Sequence, residues 1–189
     1  SRDLASGGEG APLVPSFHRM LFHPYEHDQV ILNIGGIANI TILYSNDQQP
    51  YFGFDTGPGN ALLDAWIQDS KHTRYDPNGD WSASGRVSMK FLEKLLDDSY
   101  FSLEPPKSTG KENFNLDYIK RNLDDLPKIK PADVQSTLCE FTAITAANAI
   151  EYWGPDSARV VVCGGGRLNS DLMRRLHMHL NAQPVLRSD

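Results

Sequence analysis

An acidic residue directly before a glycine-rich turn is the side chain of this sequence best suited to chemistry. Asp55 ends the run "YFGFD" and is followed by "TGPGN". A carboxylate at the end of a strand, where open sheets flanked by helices hold their ligands, can accept a proton from an attacking hydroxyl or water, or hold Mg²⁺ through water. Asp before Gly and Pro also commonly makes a side-chain turn to a nearby amide. The residues alone leave both interpretations open.

A second candidate is the segment "NIGGIAN", in which Gly35 and Gly36 are flanked by Asn33 and Asn39. Without side chains, the two glycines let the backbone approach a ligand closely, and unpaired N–H groups at such a tip suit phosphate oxygens. The alternative is that Gly-Gly merely forms a two-residue type I′ hairpin turn.

A third candidate is "VVVCGGGRLN", an apolar strand that runs into three glycines and then a capped helix. This turn offers a flat backbone surface against which an adenine or ribose can lie, although a plain strand-to-helix connection explains it equally. It is not a dinucleotide fingerprint, because Asn169 stands where Gly or Ala is required. "STGK" is not a Walker A loop either, because Pro105 stands where that motif needs glycine.

The elements that must position these turns follow from hydrophobic periodicity. An antiparallel meander comes first, and strand and helix alternate afterwards, which predicts an α/β fold whose mixed sheet contains an antiparallel hairpin and is flanked by helices. The predicted strands are 30–34, 37–43, 51–55 and 159–163. The predicted helices begin at Asn60 and cover 87–96, 117–123, 131–152 and 169–180, with a polar, turn-rich stretch over 71–85.

Composition excludes several classes of partner. The 189 residues carry a formal net charge of -6 with no Lys/Arg run, so neither nucleic acid nor an anionic membrane is an expected partner. No apolar run approaches the ~20 residues that cross a bilayer. The expected location is the cytoplasm.

Seven segments, taken in order, resemble those of anhydro-N-acetylmuramic acid kinases. The most specific are "GGEGAPLVP" and "FDTGPGN", and the others include "LNIGGIANIT", "PKSTGKENFN" and "VVCGGGRLNSDLM". The resemblance covers nearly the whole chain. It implies the ribonuclease H-like fold of an actin-like ATPase lobe, with 1–189 as the single second, nucleotide-side lobe of a two-lobed kinase. The family's first phosphate motif, "GTSxDG", has no counterpart here, so the first lobe and the extreme C-terminus are expected to be absent and the fragment alone to be inactive.

The resemblance also implies an activity. Kinases of this family use ATP and Mg²⁺ to open the 1,6-anhydro ring of anhydro-N-acetylmuramic acid and phosphorylate it to N-acetylmuramic acid 6-phosphate in cell-wall recycling. Asp55 matches their general base. Mg²⁺ is expected to bind through ATP, without a direct protein ligand. The implied nucleotide-binding residues are Asn33, Gly35, Gly36, Asn39, Gly164, Gly165, Gly166, Lys107 and Gly110. The implied sugar-binding residues are Arg2, Asp3, Gly7, Gly8, Gly10, Gly57, Gly59 and Asn60.

Two other interpretations remain open. The chain could belong to a non-sugar ATPase of the same superfamily or to a nucleotide-sensing module, since fold alone does not distinguish them. It could also be a structural or interaction domain in which the glycine turns only reverse the chain. The sequence leaves open whether the protein forms a homodimer.

Overall fold

A computed structural model describes residues 27–46, 49–156, 158–180 and 185–187. Within them lie five strands and six α-helices, with short 3₁₀ turns at Pro77–Gly79, Ser99–Ser102 and Gly165–Leu168. The strands are β1 (Gln29–Ile34), β2 (Ile37–Leu43), β3 (Phe52–Pro58), β4 (Arg159–Cys163) and β5 (Val185–Arg187). The helices are α1 (Ala61–Lys71), α2 (Asp80–Ser84), α3 (Met89–Leu96), α4 (Leu116–Leu123), α5 (Pro131–Trp153) and α6 (Ser170–His179).

The strands form one mixed sheet in the order β3-β2-β1-β4-β5. β2 is antiparallel to both β1 and β3, whereas β4 is parallel to β1 and to β5. Therefore β1, β3 and β4 all run in the same direction, and their carboxyl ends meet at one edge of the sheet. The predicted α/β fold with a mixed sheet, an antiparallel hairpin and flanking helices is confirmed.

The main core lies on one face of this sheet. Alternate residues of β1, among them Leu32 and Ile34, are fully buried there together with the helices, as period-two alternation requires. α5 packs against β2 and β3 and contributes Leu138 and Phe141 to this core. A smaller apolar cluster on alternate positions contains Ile31, Leu43 and Val161.

Two local predictions need correction. The hairpin turn is not the expected two-residue type I′ turn, because Ile34 pairs with Ala38 and three residues therefore connect the paired positions. Neither glycine of the turn has the left-handed φ that type I′ demands. The stretch 71–85 contains helix α2, whose five residues are too few to give a helical period.

None of the described helices is long and apolar enough to cross a membrane.

A buried ion cluster fastens α6 to α5. The guanidinium of Arg175 donates from Nε to Asp171 Oδ2 (2.9 Å), from Nη1 to Glu140 Oε2 (2.6 Å) and from Nη2 to Ser136 Oγ (2.8 Å). Its side chain is only 6% exposed. Burial raises the pKa of Asp171, but hydrogen bonds from Arg174 and Arg175 outweigh burial and hold that pKa below its ordinary value. Asp171 and Arg175 are therefore both ionised and paired with each other at neutral pH.

We expect Arg175→Met to lower the free energy of unfolding by about 3–5 kcal/mol, because it removes the buried cation that joins Asp171, Glu140 and Ser136. The neighbouring Arg174 is the matched control, since it also pairs with Asp171 but its side chain is 55% exposed. Arg174→Met should cost no more than about 1 kcal/mol. Urea unfolding of both variants measures the difference, and equal losses would contradict the structural role given to Arg175.

Candidate functional site

The three glycine-rich turns singled out in the sequence meet at the sheet edge where β1, β3 and β4 end. The turn after β3 lies directly on the hairpin turn: Gly59 N–H and Ala61 N–H donate to Gly36 O at 2.9 and 3.0 Å, and Asn60 N–H donates to Gly35 O at 2.8 Å. These bonds orient the carbonyls of the hairpin turn toward the start of α1. Among the described residues, no acceptor is found for the N–H groups of Gly35 and Gly36.

The contact between these two turns depends on a missing side chain at Gly59. A Cβ there would collide with Gly35 O and lie 3.2 Å from the Ala38 nitrogen, both backbone atoms that cannot move aside. Gly57, two residues earlier, has φ +143°, a conformation that L side chains rarely adopt. The "TGPGN" segment therefore needs its glycines for close backbone approach.

The turn after β4 packs on the end of β1 in the same way. Gly164 has φ +81°, and a Cβ on it would lie 2.6 Å from both Asn33 Oδ1 and Ile34 O. A Cβ on Gly166 would lie 2.6 Å from Ile34 Cβ. Gly165 is less crowded, with Asn60 Nδ2 as its nearest neighbour at 3.8 Å. Two of the three glycines thus serve packing, and the middle one leaves open space.

Asp55 lies close to this edge, in register with the two asparagines. Asn33 pairs with Asn39 across β1 and β2, and Asn39 pairs with Asp55 across β2 and β3. Residues directly opposite each other on neighbouring antiparallel strands point to the same face, so these polar side chains form one row. Asp55 is thus on the same side of the sheet as both asparagines, near the edge where the turns meet.

The backbone and carboxylate of Asp55 are held by residues from the loop after α3. Asp55 N–H donates to Lys107 O (3.2 Å), Thr109 N–H donates to Asp55 Oδ2 (3.0 Å), and the Tyr100 hydroxyl donates to Asp55 O (2.6 Å). The Asp55 side chain thus accepts an amide that is distant in sequence, rather than capping its own turn as an Asp before Gly often does.

Burial controls the protonation of this site. It raises the pKa of Asp55, and the hydrogen bond from Thr109 N–H only partly offsets that effect. It also raises the pKa of Tyr100, to which the charge of Asp55 adds. A carboxylate with a raised pKa is a stronger proton acceptor than an ordinary Asp, which is the property a general base needs.

A pocket of about 710 Å³ opens beside β3. Phe54, Thr56 and Lys107 contribute to its lining, together with Trp153 from the end of α5. Thr56 lies where the pairing of β2 and β3 shifts register, and such bulges re-aim the side chains around them. The pocket adjoins the strand that carries Asp55.

The loop 107–111 runs from Asp55 to the hairpin turn, and its two lysines lie in different places. Lys107 Nζ donates to Tyr100 O (3.1 Å) and lies 4.7 Å from the centre of the Tyr100 ring, and burial lowers its pKa. Gly110 makes a tight turn in which its carbonyl accepts from Asn113 N–H and Phe114 N–H. Lys111 follows and contacts Gly36.

Sequence reasoning missed two residues of this site, Tyr100 and Lys111, and it placed Thr109 only within a loop (107–110) on the nucleotide side, without its contact to Asp55. Only the "PKSTGKENFN" resemblance pointed to their loop, and it carried no geometry. The predicted sugar-binding residues Arg2, Asp3, Gly7, Gly8 and Gly10 lie outside the described residues. The described residues contain no group of three or more His, Cys, Asp or Glu side chains that could hold a metal ion.

The sheet order together with this cluster of turns is the ribonuclease H-like fold of the actin-like ATPases. Two solved structures are similar in fold. One is an activator of 2-hydroxyisocaproyl-CoA dehydratase from Clostridium difficile with bound ADPNP (TM-score 0.53, 17% identity, 85% of this chain and 54% of that one). The other is component A of (R)-2-hydroxyglutaryl-CoA dehydratase from Acidaminococcus fermentans (TM-score 0.54, 13% identity, 85% of this chain and 55% of that one).

The amino-acid sequence identifies one family among the proteins with this fold. The model of the family described as anhydro-N-acetylmuramic acid kinase matches residues 1–189, and the chain belongs to this family. It is 48% identical over 175 residues to an anhydro-N-acetylmuramic acid kinase of Pseudomonas savastanoi pv. phaseolicola, covering 93% of this chain and 48% of that protein. A Coxiella burnetii kinase of the same name is 49% identical over 175 residues, covering 93% and 47%. The chain thus spans about half the length of the curated relatives it matches.

We expect Gly59→Ala to lower the free energy of unfolding by about 1–3 kcal/mol, because the added methyl meets backbone on the hairpin turn. Gly35→Ala is the matched control. Its Cβ would be 3.5 Å from the nearest atom, Ile37 O, an ordinary contact, and its φ lies outside the left-handed region. That variant should change stability by less than about 1 kcal/mol. Urea melts followed by circular dichroism compare them, and a Gly59→Ala protein as stable as wild type would refute the close packing of the two turns.

Proposed function

We propose that this chain is the nucleotide-side lobe of a two-lobed ATP-dependent kinase that hydrolytically opens 1,6-anhydro-N-acetylmuramic acid and phosphorylates it on the 6-oxygen, as part of peptidoglycan recycling. The observation that carries the proposal is the convergence of three glycine turns and the Asp55 strand at one sheet edge, in a chain of this family. The single-lobe assignment is supported by the coverage of about half of each relative.

Asp55 is the proposed general base. Its carboxylate takes a proton from the water that attacks the anomeric carbon, the bond from that carbon to the bridging 6-oxygen breaks, and the freed 6-oxygen takes the γ-phosphoryl group of ATP, leaving ADP. The raised pKa of Asp55 and its restraint by Thr109 N–H suit this role, because a base must be both strong enough and correctly placed.

The nucleotide is proposed to lie along the glycine turns. The N–H groups of Gly35 and Gly36 suit phosphate oxygens, since their carbonyls are already used by the start of α1. The space beside Gly165 is open to adenosine. Asn33 and Asn39 complete this nucleotide side.

The proposed substrate side of the cleft contains Gly57, Gly59 and Asn60, which follow Asp55 directly. The Asn60 side chain makes no capping bond to α1 and so remains available to a ligand. Mg²⁺ is proposed to arrive with ATP, where it neutralises charge on the transferred phosphoryl group. Asp55 is the residue that could hold it through water.

We expect Asp55→Asn, made in the full-length protein, to lower kcat about 10²–10⁴-fold, because the amide cannot accept the proton from water. Its amide oxygen can still accept from Thr109 N–H, so the melting temperature and ATP affinity should stay close to wild type. Coupled measurement of ADP release with anhydro-N-acetylmuramic acid tests the rate.

Asp69→Asn is the matched control for this substitution. Asp69 lies on α1 in an exposed pair with Lys120 (3.3 Å), so its loss should leave the rate unchanged. Near-normal turnover of Asp55→Asn would remove the base assignment. ADP release by wild type that ignores the sugar would favour a non-sugar ATPase or nucleotide-sensing module instead.

The raised pKa of Asp55 also makes a prediction about pH. A general base works only when ionised, so kcat/KM should fall as pH is lowered through its pKa, and the midpoint of that fall should lie above the ~3.9 of an unperturbed Asp. A pH profile of wild-type kcat/KM over the range in which the protein stays folded measures it. An acid limb centred at or below the ordinary Asp value would contradict the effect of burial.

A further inference from the structure

Lys111 occupies a distinctive position at the tip of the β1–β2 hairpin. Its methylene chain fills the space that a side chain on Gly36 would take, and a Cβ built there would lie 3.0 Å from Lys111 Nζ. Gly36 thus leaves room for this lysine. The side chain is nonetheless exposed, so its ammonium group is accessible to a ligand at the turn.

The glycine turn and Asp64 are the neighbours of that ammonium group that bear on its role. Gly36 lies against the lysine side chain, and among the described residues no acceptor is found for the N–H groups of Gly35 and Gly36. Asp64, in the first turn of α1, is close enough that the charge of Lys111 opposes the effect of burial on its pKa, which is raised to about 6. The charges of the two side chains therefore attract each other.

We infer that Lys111 binds the terminal phosphates of the nucleotide, an inference that rests on the proposed kinase function. A cationic side chain beside two unpaired amides is the donor set that polyphosphate oxygens require. The loop that carries Lys111 also contacts Asp55, through Lys107 O and Thr109 N–H. One short loop therefore contacts both the glycine turn and the proposed base, which places the cation at the reactive end of the nucleotide rather than at adenosine.

Lys107, the other lysine of this loop, makes different contacts, which supports the assignment of phosphate binding to Lys111. Its ammonium is engaged by Tyr100 O and lies near the rings of Tyr100 and Phe54, beside the pocket next to β3. Of the two lysines in "KSTGK", Lys111 is the one in contact with the glycine turn.

The test is nucleotide binding by Lys111→Met in the full-length protein, with ATP and AMP as probes in calorimetry. We expect the Kd for ATP to rise about tenfold or more, because a charge-assisted hydrogen bond is lost. The Kd for AMP, which lacks the β- and γ-phosphates, should change less than twofold. Lys111→Arg keeps the charge and should recover most of the ATP affinity. Lys128→Met, at an exposed lysine in the loop before α5, is the matched control and should bind ATP as wild type does.

The outcomes separate this inference from the function on which it rests. Wild type that binds no ATP would overturn both. Wild type that binds ATP, with Lys111→Met equally tight, would overturn the role of Lys111 and leave the kinase proposal standing. Equal weakening of ATP and AMP would also overturn it, since that pattern indicates a damaged turn rather than a lost phosphate contact.

Discussion

Backbone-on-backbone packing at the edge of the sheet where β1, β3 and β4 end is the constraint on which the rest of this fold depends. Gly59 must lie on Gly35, and Gly164 and Gly166 must lie on the end of β1, at distances that leave no room for a Cβ. Chain segments from three parts of the sequence can meet only because side chains are absent there. A site built this way exposes peptide groups rather than side chains, which suits the recognition of phosphate and nucleoside.

The side chain proposed for chemistry is supplied separately, from β3. Among the described strands β3 is the outermost of the sheet and pairs only with β2, and on its other side Lys107 O and Thr109 N–H contact Asp55. Tyr100 then anchors the Asp55 carbonyl, and Lys107 anchors Tyr100. The loop 98–114 therefore covers the outer side of β3 and fixes Asp55. It also buries the Asp55 carboxylate enough to raise its pKa.

The sequence predicted those parts of the lobe that depend on local pattern. β-branched runs located β1, β2 and β4, and helical spacing located α5 within one residue at its C-terminal end. The hairpin register was not predictable from the β1 and β2 sequences alone. Ile37 pairs with Pro58 of β3 and not with β1, so a third strand determines where the pairing of β1 and β2 ends. The contacts of Tyr100, Thr109 and Lys111 were missed for a similar reason: each joins residues more than 40 positions apart.

Local charge, rather than net charge, decides whether such a cluster of turns can hold an anion. The chain carries a formal charge of -6 and would repel a nucleotide at long range, but that repulsion is screened beyond ~8 Å at physiological ionic strength. Within that distance the hairpin turn presents amides and Lys111, whereas the nearby carboxylates of Asp55 and Asp64 both have pKa values raised by burial. A raised pKa means that each negative charge is already costly in the folded chain. The negative charge of a bound nucleotide would repel these carboxylates and add to that cost. The positive charge of Lys111 at the turn offsets this repulsion, which the glycine amides alone would not.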